Sequence, residues 1–210
     1  MRSKEHVVSK NTVGKPVVSL PQTAQRLVDA ARDVVLTKGY AGLTLDAVQA
    51  GAGLNKSLVR YYFGSKAGLI EALIDTLFPT HTDIDDALAR ASSGEEKVRT
   101  LLAMQRNVAA DDDVNRLFFE LFPHVLRDRR LRLRFVDAYR ESRLMDKGCM
   151  EAAAPAIDPS QAERLAALTV AMLEGLAVQR VIDPKGLDFA GAYEDWERML
   201  TAYLGKLASE

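Results

Sequence analysis

Lys56, Ser57, Arg60, Tyr61 and Tyr62 fall within seven consecutive residues and bring together an ammonium, a guanidinium and three hydroxyls. Such groups donate to base edges and to phosphate oxygens, the two kinds of acceptor a nucleic acid offers. If the segment is helical, these side chains point outward while Leu58, Val59 and Phe63 turn toward whatever lies beneath. Asn55 has the chemistry of an N-cap for that helix. Upstream, Leu45 and Val48 repeat at helical spacing behind Thr44, and Gly53 stands where a tight inter-helix turn needs positive φ, with Leu54 next as a core residue. Two short helices joined by a glycine turn, the second bearing donors, suit a helix-turn-helix whose second helix enters a major groove.

Charge is distributed in keeping with that reading. Up to Lys66 there are ten Lys and Arg against four Asp and Glu, and beyond it eighteen against twenty-five. A basic first third on an acidic remainder localises polyanion binding to one end, although such an excess alone also describes a solvated face. At 210 residues and 48% hydrophobic content the chain has enough material for a real core. Cys149 stands alone, so no internal disulfide is implied; it is expected to be a packed, unactivated thiol in a cytoplasmic protein. No apolar run is expected to approach the roughly 18–20 residues that span a bilayer, and no membrane partner is implied.

The elements that must position the donors read as helices throughout, with almost no strand signal. A basic tail over 1–20, expected to be mobile, precedes a first helix that starts between Pro21 and Thr23 and ends at Gly39. Ser65 is placed to cap a fourth helix carrying Leu69, Ala72 and Leu73, and Pro79 should interrupt it. Further helices are expected around Val98–Met104, from Asp113 to about Leu126, from about Asp128 to Ala153, over 161–182 and over 189–207. The 161–182 helix is apolar nearly all round, with Leu165, Leu168 and Met172 on one stripe and Ala167, Val170 and Ala171 on others, so it must have two neighbours. With the last helix it would form half of an intersubunit four-helix bundle.

The ordered set Arg26, Leu27, Ala30, Ala31, Gly39, Tyr40, Thr44, Val48, Ala52, Gly53, Leu54, Tyr62, Phe63, Ser65, Lys66 and Leu69 resembles the DNA-binding domain of the TetR family of bacterial transcriptional regulators. Phe118–Arg132 and 173–177 are similar to that family's carboxy-terminal region. The resemblance implies an all-α fold: a three-helix helix-turn-helix domain over 21–66 and, over 67–210, a helical bundle for ligand binding and dimerisation. It implies double-stranded operator DNA as partner, a homodimer formed through the last two helices, and an unidentified small-molecule effector that releases a repressor from a pseudo-palindromic site. Thr44, Tyr62 and Lys66 would contact phosphates, Asn55, Lys56, Ser57, Arg60 and Tyr61 would lie at the DNA face, and Lys56 and Arg60 would read guanine edges. Arg60 stands where the family most often has tyrosine and Gln49 where it has a small alanine, so the operator cannot be carried over and the inter-helix angle is open to change.

Other readings have definite residues too. By its type alone Tyr62 fits packing as well as phosphate contact, and Lys66 fits a solvated lysine. The Arg127–Arg134 cluster reads as a solvated face with Leu131, Leu133 and Phe135 buried behind it. Met104, Phe118, Phe122, His124 and Met172 are the ligand-pocket candidates, chosen for apolar or aromatic character. His6, His81 and His124 lack metal-ligand spacing, no cofactor is implied, and no constellation suited to catalysis emerges, so the chain is not expected to be an enzyme. A small-molecule binding module without DNA binding is the alternative, favoured if Lys56 and Arg60 are buried or ion-paired.

Overall fold

The computed structural model describes residues 20–78 and 81–209, the side chains of 81–83 excepted. Among these residues the chain is all-α, with ten helices: α1 (Gln22–Lys38), α2 (Leu45–Ala52), α3 (Ser57–Phe63), α4 (Lys66–Asp75), α5 (His81–Arg90), α6 (Gly94–Ala110), α7 (Asp112–Val125), α8 (Arg129–Ala153), α9 (Pro159–Ile182) and α10 (Phe189–Leu207), plus one 3-10 turn at Tyr40–Gly42. The tail expected over 1–20, apart from Leu20, and the break expected at Pro79 lie outside the described residues. From sequence α5 has no counterpart, because only Ile84 and Leu88 mark its apolar side.

Two compact units form. The first takes the described residues up to Leu77 together with Leu117–Leu131, and the second takes the described residues of 78–116 and 132–209. In the first, α1 is the platform: Leu27, Val28, Ala31, Val34 and Val35 are buried at spacings of one, three, three and one. Val48 of α2, Val59 of α3 and Leu69, Leu73 and Ile74 of α4 are all at most 1% exposed. Burying side chains of that size contributes about 1.5–3 kcal/mol each before entropy is counted, so this small core can hold three short helices. The 117–131 segment is tied in by polar and aromatic contacts: Tyr40 N donates to Glu120 Oε2 at 3.0 Å, His124 stacks on Tyr40 with centroids 3.6 Å apart, and Arg130 Nη2 donates to Glu71 Oε2 at 2.8 Å.

The second unit packs α6, α9 and α10 around Leu101, Leu102, Leu173, Leu176, Leu200 and a fully buried Tyr193, whose hydroxyl donates to the Leu102 carbonyl at 2.5 Å. The buried stripe of α9 is Ala162, Ala166, Thr169, Leu173, Leu176 and Ala177. Small residues on that stripe let the neighbouring helices approach. Leu168, expected to share a packed face, is 56% exposed and Ile182 77%. By length and composition α9 could cross a bilayer, with mean hydropathy 1.6, contrary to the expected absence of any such run, because only Glu174 and Arg180 interrupt 165–182. In α8, Leu131 and Phe135 are buried as expected, but Leu133 is 51% exposed: it lies two residues from each and therefore on the far side of the helix.

Candidate nucleic-acid interface

Local hydrogen bonds build the α2–turn–α3 hairpin as the sequence implies. Thr44 Oγ1 accepts from Ala47 N at 3.1 Å and starts α2. Gly53 ends it in the left-handed region at φ 62°, where an L side chain is strained, and its N–H donates to the Gln49 carbonyl at 3.0 Å. From α1, Arg26 Nη2 donates to the Ala52 carbonyl at 2.7 Å, which pins the end of α2 to the platform. Asn55 Oδ1 accepts from Ser57 N at 2.9 Å and the Asn55 carbonyl accepts from Leu58 N at 3.0 Å. The expected cap is therefore in place, one residue ahead of the regular helix. Gln49 is exposed, and α1 and α2 approach closely where Gly51 meets Ala30.

Thr44, Asn55, Lys56, Ser57, Arg60, Tyr61 and Lys66 are all exposed, Tyr61 at 69%. Val59 alone seals the inner side of α3, while Leu54, Leu58, Tyr62 and Phe63 are half-buried, so the packing expected for Leu54 and Phe63 is partial. Tyr62 meets Tyr61 edge-on at 4.9 Å, leaving its phenol beside the row of donors. Lys66 opens α4, where Ser65 Oγ accepts from Gly68 N at 3.2 Å, and its Nζ lies 6.0 Å from the Tyr40 ring centre. A cation at a helix N-terminus adds to the positive end of the helix dipole, which suits an anionic partner and not the isolated helix.

Lys56 Nζ pairs with Asp46 Oδ1 at 2.7 Å, both side chains more than half exposed. An exposed pair contributes about 0–1 kcal/mol, so it aligns the lysine with α2 yet yields readily to a stronger acceptor. Arg60 makes no ion pair among the described residues. Only half of the condition for the non-DNA-binding alternative is thus met, and that half is weak.

The five pocket candidates are divided between the two units. Met104 and Met172 pack against the core of the second unit, whereas Phe118, Phe122 and His124 belong to the first. There Phe118 and Phe122 stack at 5.1 Å and His124 is committed to Tyr40. What sequence reasoning missed is Asp146, 1% exposed in the second unit, whose Oδ1 accepts from Gln105 Nε2 at 2.7 Å. Burial pushes its carboxyl up to about 7, with the Gln105 hydrogen bond pulling the other way. A signal existed: Leu131, Phe135, Asp146 and Met150 are spaced by four, eleven and four, which puts an acid on the apolar stripe of α8. Cys149 beside it is buried, its thiol raised to about 11, chiefly by burial, and so held protonated.

Residues 27–73 match the description "Bacterial regulatory proteins, tetR family", and 94–205 match "BetI-type transcriptional repressor, C-terminal". The HTH-type transcriptional regulator TtgR of Pseudomonas putida is 29% identical over 198 residues, covering 83% of this chain and 88% of its own. The HTH-type transcriptional regulator BetI of Rhizobium meliloti is 26% identical over 187 residues, covering 88% and 90%. A transcriptional regulator from Saccharomonospora viridis, solved in complex with choline, shares the fold at a TM-score of 0.65 and 14% identity over 87% of this chain and 95% of that one. With the exposed donor row standing on a helix-turn-helix and the second matched stretch covering more than half of the sequence, the chain belongs to the tetR family of bacterial regulatory proteins, DNA-binding transcriptional regulators, with a carboxy-terminal half of the BetI type.

Proposed function

We propose that this protein is a cytoplasmic, non-enzymatic homodimeric repressor whose two α3 helices enter successive major grooves of a pseudo-palindromic operator, and that a small molecule bound in its second unit releases it. One observation carries the proposal: Lys56, Ser57, Arg60 and Tyr61 form a solvent-facing row on a helix whose other side is anchored by Val59. In this reading Lys56 and Arg60 contact base edges, Ser57 and Tyr61 reach bases or adjacent backbone, and Thr44, Tyr62 and Lys66 hold phosphates. Asn55 lies at the same surface as the cap. The twofold partner sets the half-sites about 34–36 Å apart or at a related helical spacing.

The dimer would form on α9 and α10, where Leu168, Val181, Ile182, Met199 and Tyr203 leave an apolar face without cover in the single chain. Leu168→Glu is expected to shift the micromolar sedimentation profile from dimer to monomer and to weaken operator binding with it; an unchanged dimer would move the interface elsewhere. Small-molecule release is supported by the BetI-type match and by the choline complex of the Saccharomonospora viridis protein. A coupling of about 1–3 kcal/mol would weaken operator affinity roughly 5- to 150-fold on effector binding, and DNA would weaken effector binding equally.

Selection of bound fragments from the source genome, followed by mobility shift, tests the reading. Lys66→Ala should weaken binding to every sequence and lower the slope of log affinity against log salt by about 0.9. Arg60→Ala should cost about 1–3 kcal/mol, concentrated at one base position. Equal effects of both substitutions on all sequences would undo that division of roles, and retention of no fragment above non-specific binding would favour the module without DNA binding.

A further inference from the structure

In the second unit α6, α8, α9 and α10 line a small cavity of about 10 Å³ walled by Val98, Leu101, Leu102, Met150 and Leu200, with Asp146 and Cys149 on the α8 side. Asp146 Oδ1 is engaged by Gln105 Nε2, but Oδ2 is buried with no partner, and so is Gln105 Oε1. Thr169, also on the wall, spends its hydroxyl on the Leu165 carbonyl at 3.0 Å. The Tyr193 hydroxyl is spent on Leu102. Asp146 Oδ2 on the cavity wall and Gln105 Oε1 beside that carboxyl are therefore unpaired acceptors, and the Cys149 thiol is the one weak donor left on the wall.

Unpaired buried acceptors cost free energy, and an unpaired buried carboxylate costs more. The charged and titratable groups that act on this region are Lys97 and Arg106 of α6, Cys149 of α8, and Tyr193 and Glu197 of α10. Arg106 lies over the Tyr193 ring and pairs with Glu194, and Asp146 has no ion pair among the described residues. Where Asp146 is ionised, above about pH 7, the missing complement is a positive group with at least two N–H donors.

We propose that Asp146 and Gln105 form the head-group site for a protonated primary or secondary amine carried on an apolar body, with Asp146 Oδ2 and Gln105 Oε1 accepting its N–H donors. The binding itself stands on the second unit alone; its role as the effector site rests on the function proposed above. A quaternary ammonium has charge but no N–H, and an alcohol has one O–H and no charge, so both leave an acceptor unpaired. The cavity holds only a head group. An alkyl body must displace the apolar wall, where Met150 has the most adaptable side chain, and Met104, Met145 and Met172, packed against the same core, can yield behind it. Entry of the body and rearrangement of the bundle are then one event. Because burial favours the neutral acid, pairing with the amine displaces a proton below about pH 7, and affinity should rise with pH up to that region.

Octylamine, octyltrimethylammonium and octan-1-ol, titrated into the full-length protein at pH 7.5, separate the possibilities, and the sole tryptophan, Trp196, packed against the same core, provides the readout. Two charge-assisted hydrogen bonds should make octylamine about 10- to 100-fold tighter than either competitor. Asp146→Asn should reduce octylamine to the level of octan-1-ol while leaving octan-1-ol unchanged, and Gln105→Met, which removes the other acceptor, should reduce the preference in part. Equal binding of amine and quaternary ammonium would overturn the assignment. So would an amine preference that survives both substitutions, or no response to any of the three, which would leave the cavity to a water molecule. A preference that depends on Asp146 without release of operator DNA would keep the amine site and remove only its effector role. Failure to retain any genomic fragment would strike the DNA reading alone.

Discussion

Replacing Gly68 by alanine should unseat the recognition helix. A Cβ at this position would lie 2.0 Å from the Phe63 carbonyl oxygen and 3.0 Å from its carbon. Phe63 is the last residue of α3 and Gly68 lies in the first turn of α4, so the two helices meet there backbone to backbone. Neither atom is the end of a flexible side chain. Relief requires a movement on the order of 1 Å between α3 and α4, at an overpacking cost of about 1–3 kcal/mol. Direct base readout depends on geometry held to about half an ångström, so operator affinity should fall more than tenfold even where the protein remains folded. Fluorescence anisotropy on the selected operator and a thermal melt would both register the change. Gly148→Ala is the control: nothing lies within 4 Å of its new Cβ, and in an exposed helix interior the exchange should stabilise by about 0.5–1 kcal/mol and leave DNA binding intact. Indistinguishable behaviour of the two variants would show that the α3–α4 approach can yield without consequence.

Asp146→Asn should abolish a specific pH dependence of stability. The folded-state value for this carboxyl is raised to about 7 from an ordinary 3.8, so between those limits the native state keeps a proton that the unfolded chain has released. Stability contributed by this group is full below about pH 4 and declines as pH rises to about 7, at roughly 1.4 kcal/mol per pH unit. Above that range the native protein holds an unpaired buried carboxylate. Asparagine keeps the shape, accepts from Gln105 Nε2, and carries an amide able to donate to Gln105 Oε1. The variant should therefore exceed the parent in stability at pH 8 by on the order of 4 kcal/mol and approach it near pH 4. Denaturant midpoints at pH 4.5, 6 and 8 give the parent-minus-variant difference, in which other titrating groups cancel. A difference that does not vary with pH would mean that Asp146 is solvated in the native state.

The hairpin was legible because its determinants are local. Thr44 and Ser65 cap the helices that follow them, Gly53 takes the left-handed turn, Asn55 satisfies the start of α3, and the donors of α3 face outward as the helical period requires. All of this is written within four residues of where it acts. The remainder depends on contacts between distant segments, to which periodicity is blind. Aromatic character singles out Phe118, Phe122 and His124, but it says nothing of the return of α7 to the first unit at Leu117 or of the stack of His124 on Tyr40. The two apolar sides of α9 look alike in sequence, and only the fold shows that the side of Ala162, Ala166, Thr169 and Leu173 is buried within the chain while Leu168 is left exposed. Asp146 could have been found by asking which charged residue interrupts an apolar stripe, since composition hides it among the many charges of α8.

The first unit is discontinuous in sequence, and this sets the terms on which regulators of this type can be recombined. A chimera that took only the residues up to Leu77 would leave Tyr40 without its ring stack and its Glu120 acceptor, and Glu71 without Arg130. A portable head has to bring 117–131 with it, and a donor of new sensing specificity must accept that insert within its own α7 and α8. Chimeras joined without regard to it should be soluble yet poorly seated on their operators, whereas those that transplant both stretches should inherit the operator preference intact.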